Sequence, residues 1–114
     1  MFFKQTSLFL LSAAIALVNA QTFTGQATWY FPGLGSCGLT NGNNDLIMAL
    51  NAPQYNPSVC GRRARIFYQG KSVDVTVVDR CADCPFGNVD LSPAAFNQIS
   101  NQDAGRIPVT WQYI

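Results

Sequence analysis

The chain contains no histidine, and its six acidic residues include no glutamate. Without histidine there is no Ser-His-Asp triad, no Cys-His dyad and no histidine-ligated metal site. Carboxylate chemistry is confined to Asp45, Asp74, Asp79, Asp83, Asp90 and Asp103. Charge of either sign is scarce, at 11% of residues. Seven basic residues less Lys4 leave six against six acidic ones from residue 21 onward. That balance argues against DNA, RNA or an anionic membrane as partner, because phosphate contacts need a basic excess. A neutral polymer such as a polysaccharide, or another protein, fits better.

Long apolar runs are also lacking, apart from Leu8 to Val18. That run is short for a membrane span. Lys4 precedes it, and Val18-Asn19-Ala20 supplies small or modest residues for cleavage. The pattern predicts a secretory signal peptide over 1–20, with an uncleaved anchor as the competing reading. The mature chain, 21–114, is then expected to be extracellular, off the membrane and monomeric. At 114 less 20 residues it is one small domain. Such a domain buries only about 60–65% of its unfolded surface, so extra staples are expected.

Secretion makes disulfides of the four cysteines, which allow three pairings. Cys37–Cys60 is favoured to close a long loop and Cys81–Cys84 to clip a tight turn. A zinc site would need all four cysteines. A redox site would need a strand–helix context that Pro85-Phe86-Gly87-Asn88 does not offer. Neither a metal nor a cofactor is expected.

The rest reads as strand and loop. Thr22 to Tyr30 is rich in threonine and aromatics, as a strand should be. Phe31 to Asn44 and Asn51 to Ser58 are loops, broken by glycine and proline. Leu46 to Leu50 is a short buried run. Ala64–Tyr68 and Ser72–Asp79 form a hairpin about Gln69-Gly70-Lys71. In its second arm Val73, Val75 and Val77 face one way, and Asp74, Thr76 and Val78 the other. Ser92 caps a helix that starts at Pro93 and runs to Ile99. Gly105 to Ile114 is a last strand, with Ile107, Val109, Trp111 and Tyr113 on one face. Phe23, Phe67, Phe96 and Trp111 are assigned to the core. Together these elements predict an all-β fold, a small barrel with one or two short helices.

Five segments resemble a known group when taken in order. They are Gly25-Gln26-Ala27-Thr28-Trp29-Tyr30, Ser36-Cys37-Gly38, Val77-Val78-Asp79-Arg80-Cys81, Val89-Asp90-Leu91-Ser92-Pro93-Ala94-Ala95-Phe96 and Gly105-Arg106-Ile107-Pro108-Val109-Thr110-Trp111. Their succession is similar to that in double-psi β-barrel proteins of the rare-lipoprotein-A-like, expansin and barwin-like families, including the small fungal loosenins. The resemblance covers nearly all of 21–114. It implies a six-stranded barrel with a shallow groove, which in expansins and family-45 endoglucanases holds a β-glucan chain. It also implies that Thr28, Asp79 and Asp90 line that groove. Where those proteins carry a tyrosine after the middle aspartate, this sequence departs with Cys81.

Asp90 would sit by the start of the helix, whose amides can orient a carboxylate. A neighbouring Asp79 would oppose its charge, so that one of the pair stays protonated. The bland reading of Asp90 is a helix cap. That of Asp79 is an ion pair with Arg80 or a hydrogen bond to Thr28. Trp29, Tyr30, Phe31, Tyr55 and Tyr68 are candidate sugar-stacking faces. Inverting hydrolysis needs an acid and a base about 6.5–9.5 Å apart. The place that carries the base in family-45 glucanases is Phe31 here, which disfavours hydrolysis. The absent histidine also weakens a lytic reading. Arg62, Arg63 and Arg65 either grip an acidic polysaccharide such as pectin, or an acidic protein partner, or form a solvated face paired with Asp74 or Asp83.

Three functions follow. The first is non-hydrolytic loosening of cell-wall polysaccharide (β-glucan, chitin or peptidoglycan) through a groove containing Asp79 and Asp90. The second is binding of a protein, such as inhibition of a secreted cysteine protease by loops 31–44 and 51–58. The third is weak glycan cleavage, of endoglucanase or lytic type, with Asp90 as general acid.

Overall fold

The computed structural model describes residues 21–114. The expected signal peptide, 1–20, lies outside the described residues. Six strands form the barrel: β1 (Thr22–Trp29), β2 (Ile47–Asn51), β3 (Arg63–Tyr68), β4 (Lys71–Cys81), β5 (Val89–Leu91) and β6 (Ile107–Tyr113). Among the described residues one α-helix, α1 (Pro93–Ile99), follows β5, and short 3-10 turns form at Ala52–Gln54, Pro57–Val59 and Gln102–Ala104. The barrel closes in the order β1-β5-β2-β4-β3-β6, which leaves no open sheet edge. Two pairs, β1–β5 and β2–β4, are parallel.

Local chemistry accounts for most of these elements. The hairpin β3–β4 turns on Gln69 and Gly70, both at positive φ (47° and 79°), as a tight two-residue turn requires. Lys71 belongs to the strand rather than to the turn. Ser92 caps α1 by accepting from the Ala95 amide, and Pro93 takes the first helical position. The helix buries Ala95, Phe96 and Ile99 against the sheet. Trp111 and Phe96 are fully buried as expected, with Met48, Leu50, Ile66 and the inward valines of β4 around them. Phe23 is half-buried, 4.6 Å from Trp111 ring to ring. Phe67 departs from its assignment to the core. By alternation with buried Ile66 it lies on the outer face of β3.

Two glycines hold the crossing of β1 with the loop before β5. A Cβ on Gly25 would stand 2.2 Å from the Gly87 carbonyl oxygen. A Cβ on Gly87, which sits at φ 90°, would in turn stand 2.2 Å from the Thr24 carbonyl oxygen. Trp111 Nε1 donates to that same Gly87 oxygen at 2.8 Å. Buried Asn51 donates to the Asn88 carbonyl, and the Asn88 side chain accepts from the Gln26 amide. This crossing fixes where β5 begins, and so where Asp90 falls.

Candidate functional site

Register brings the candidate residues together. On β5, Val89 and Leu91 point into the barrel, so Asp90 points out. Thr28 pairs with Asp90 on one side and Ala49 pairs with it on the other. Ala49 in turn pairs with Asp79. Thr28, Asp90, Ala49 and Asp79 therefore form one row across four strands on the outer face.

Asp79 reaches that row because of a β-bulge. The β2–β4 register pairs Met48 with Val77 and then Ala49 with Asp79, skipping Val78. Strict alternation from Val73, Val75 and Val77 would have turned Asp79 inward. The extra residue reverses the phase of β4 and aims Asp79 outward, a common use of bulges beside sites. Asp79 and Asp90 are then one strand apart, about 10 Å between Cα atoms.

Each carboxylate has its own setting. Thr28 Oγ1 donates to Asp90 Oδ1 at 2.8 Å. Burial raises the Asp90 pKa above the usual aspartate range, against the lowering effects of Thr28 and the Arg106 guanidinium. The charge of Asp79 adds to the rise, but as the smallest of the four causes. Desolvation, rather than the expected repulsion between the two aspartates, is thus what favours a protonated Asp90. The helix is capped by Ser92, while Asp90 turns to Thr28. Asp79 Oδ1 accepts from the backbone amides of Ser36 and Arg80, each at 2.8 Å. These backbone bonds take the place of the Arg80 ion pair or Thr28 bond that the bland reading of Asp79 offers. Gly35 makes them possible, since a Cβ there would stand 2.4 Å from the Val78 oxygen.

The aromatic candidates separate. Tyr30 follows β1 and donates its amide to the Leu91 carbonyl. Its phenol keeps its proton, through burial first and then the charges of Asp79 and Asp90. Trp29 lies on the opposite face of β1 from Thr28, its Nε1 donating to the Gln102 carbonyl at 3.0 Å. Phe31 meets Trp29 edge-on and is 68% exposed. The Tyr55 hydroxyl rests on the Cys37–Cys60 bridge, 3.5 Å from Cys60 Sγ. Tyr68 pairs with Lys71 at the hairpin turn. Asp79 lies eight steps along β4 from Lys71, about 26 Å of strand. Tyr68 therefore stands apart from the carboxylate row.

Both disulfides form as expected, Cys37–Cys60 and Cys81–Cys84. The first holds the loop that supplies the Ser36 amide. Arg106 was overlooked as a site residue. It donates to Gln26 Oε1 at 3.0 Å and places positive charge near Asp90. Its position after Gly105, at the head of β6, was the available signal. Among the described residues no group of three or more potential metal ligands gathers. Concavities of about 500 and 370 Å³ lie elsewhere on the surface.

The closed six-stranded barrel with its two parallel pairs has the architecture of the double-psi β-barrel class. Residues 22–111 match the family described as lytic transglycolase, and the chain belongs to this double-psi β-barrel family. An allergen Asp f 7 homologue from Arthroderma benhamiae is 34% identical over 80% of the chain. The chain spans 38% of that relative's length. A papain inhibitor from Streptomyces mobaraensis is 31% identical, over 82% of the chain and 73% of the inhibitor. Among solved structures, a Clavibacter michiganensis expansin variant in complex with cellohexaose superposes with a TM-score of 0.75. It is 27% identical, and the match covers 82% of the chain and 50% of that expansin.

Proposed function

We propose that this protein binds a neutral β-linked glycan chain across the outer face and loosens its packing without hydrolysis. The observation that carries this reading is the row Thr28–Asp90–Ala49–Asp79. A carboxylate at each side of a small alanine gives a flat, polar strip for an extended chain. The carboxylates accept from sugar hydroxyls. The expansin that holds cellohexaose supports a glucan as occupant. Phe31, a hydrocarbon ring where a glucanase would carry its base, turns the reading away from hydrolysis. The protein acts outside the cell, after loss of residues 1–20, where its two disulfides persist.

A second reading rests on the loop between β1 and β2. It exposes Leu34 (75%) and Leu39 (59%) on a turn tied by Cys37–Cys60. A rigid apolar projection suits insertion into a protease cleft, and the papain inhibitor relative supports that partner.

Depletion of the protein from solution by insoluble cellulose, chitin, xylan and peptidoglycan tests the two. Selective depletion lost in Asp90→Asn, with no new reducing ends, supports glycan binding. New ends that vanish in Asp90→Asn would replace it by cleavage. Absence of depletion, with papain inhibition that survives Asp90→Asn, would replace it by protease binding.

A further inference from the structure

A second groove lies between α1 and the outer face of β3–β4. It is an open surface concavity of about 500 Å³ and shares no residue with the carboxylate row. Arg63, Arg65 and Phe67 line it from β3, Ser72 and Asp74 from β4, and Gln98 from α1.

The three arginines of the basic cluster have separate fates. Arg65 is committed to Asp74, its register partner, through two parallel bonds of 2.6 and 2.9 Å. Arg62 turns away and covers the Tyr113 ring at 3.7 Å. Arg63 is exposed, and it lies close enough to help hold the Asp74 carboxyl below its usual range. The groove thus carries one uncompensated positive charge, a fork suited to a carboxylate. Phe67 presents a half-buried ring beside it, and Ser72 and Gln98 offer hydrogen-bonding groups suited to hydroxyls.

We infer that this groove is a second glycan subsite, and that it takes a uronic-acid residue. The Arg63 guanidinium holds the carboxylate, the Phe67 ring meets the sugar face, and Ser72 and Gln98 bond its hydroxyls. A nucleic acid would need several unpaired cations where the groove supplies one.

Titration of the protein with tetragalacturonate, beside its methyl ester and cellohexaose, tests the inference. Tetragalacturonate should bind at least about tenfold more tightly than the ester, since one charged hydrogen-bonded contact is at stake. Arg63→Gln should remove that preference, Arg63→Lys should keep part of it, and Asp90→Asn should leave it intact. Arg63 is exposed, so a thermal melt will show the variants folded. Equal binding of acid and ester, or a preference that survives Arg63→Gln, overturns the inference. So does equally tight binding of inorganic tripolyphosphate, which would mark a general anion site. Cellohexaose binding that is lost in Asp90→Asn bears on the proposed function alone.

Discussion

Thr28 donates its hydroxyl hydrogen to Asp90 across the parallel β1–β5 pair, at 2.8 Å. That bond steadies a carboxylate whose burial works against its charge. Thr28→Val should therefore move the Asp90 titration further up, and Thr28→Ser should largely restore it. Carbon-13 NMR titration of the aspartate carboxyls checks both. An unmoved Asp90 in Thr28→Val would show that the bond does not set its acidity.

The raised Asp90 pKa also sets a sign for stability. The fold binds the Asp90 proton more tightly than the unfolded chain does. Its contribution is then most favourable at low pH and falls as pH rises through the raised value. Asp90→Asn should raise the melting temperature at neutral pH by a few degrees. The gain should shrink towards zero below the ordinary aspartate range. Melting curves over a pH series measure it, and a variant less stable than wild type at neutral pH would reverse the sign.

The crossing at Gly25 and Gly87 should tolerate no side chain. A Cβ on Gly25 meets only backbone, at 2.2, 2.3 and 2.8 Å, so no rotamer change relieves it. Gly25→Ala is expected to destabilise by about 3 kcal/mol or more, the upper end for overpacking. Urea unfolding reads this directly. Gly42→Ala, where a Cβ meets nothing within 4 Å, is the control and should change little.

The two disulfides should contribute unequally. Their partners are 23 and 3 residues apart. Loop-closure entropy then gives about 3.5 kcal/mol for Cys37–Cys60 and about 2 kcal/mol for Cys81–Cys84. Paired Cys→Ser variants compared by chemical denaturation test the order. The Cys37–Cys60 pair should also loosen the Ser36 amide that holds Asp79.

Much of this arrangement was legible in the residues, for identifiable reasons. Gln69-Gly70 marked the hairpin, Ser92-Pro93 marked the start of the helix, and alternation from Ile107 to Trp111 marked β6. Strand β5 was not legible as a strand, because three residues are too few to show a period of two. Its place comes from the Gly25–Gly87 crossing and the Asn88 bonds. The Val78 bulge was hidden as well, since Val77-Val78 reads as an unbroken apolar run. Without the bulge Asp79 would face inward, and the row would hold one carboxylate. Phe67 was misplaced because size alone suggested the core, whereas its parity on β3 sets it outside. Tyr68 was grouped with the site by residue type, and the length of β4 separates it.

Amide chemical-shift mapping during titration with cellohexaose tests glycan binding at the Thr28–Asp90–Ala49–Asp79 row directly. The largest shifts should fall at Gln26–Tyr30, Ala49, Asp79–Arg80 and Val89–Leu91, and Asp90→Asn should weaken them. Shifts confined to the Leu34–Leu39 loop or to the β3–β4 hairpin, with the row unmoved, would contradict it.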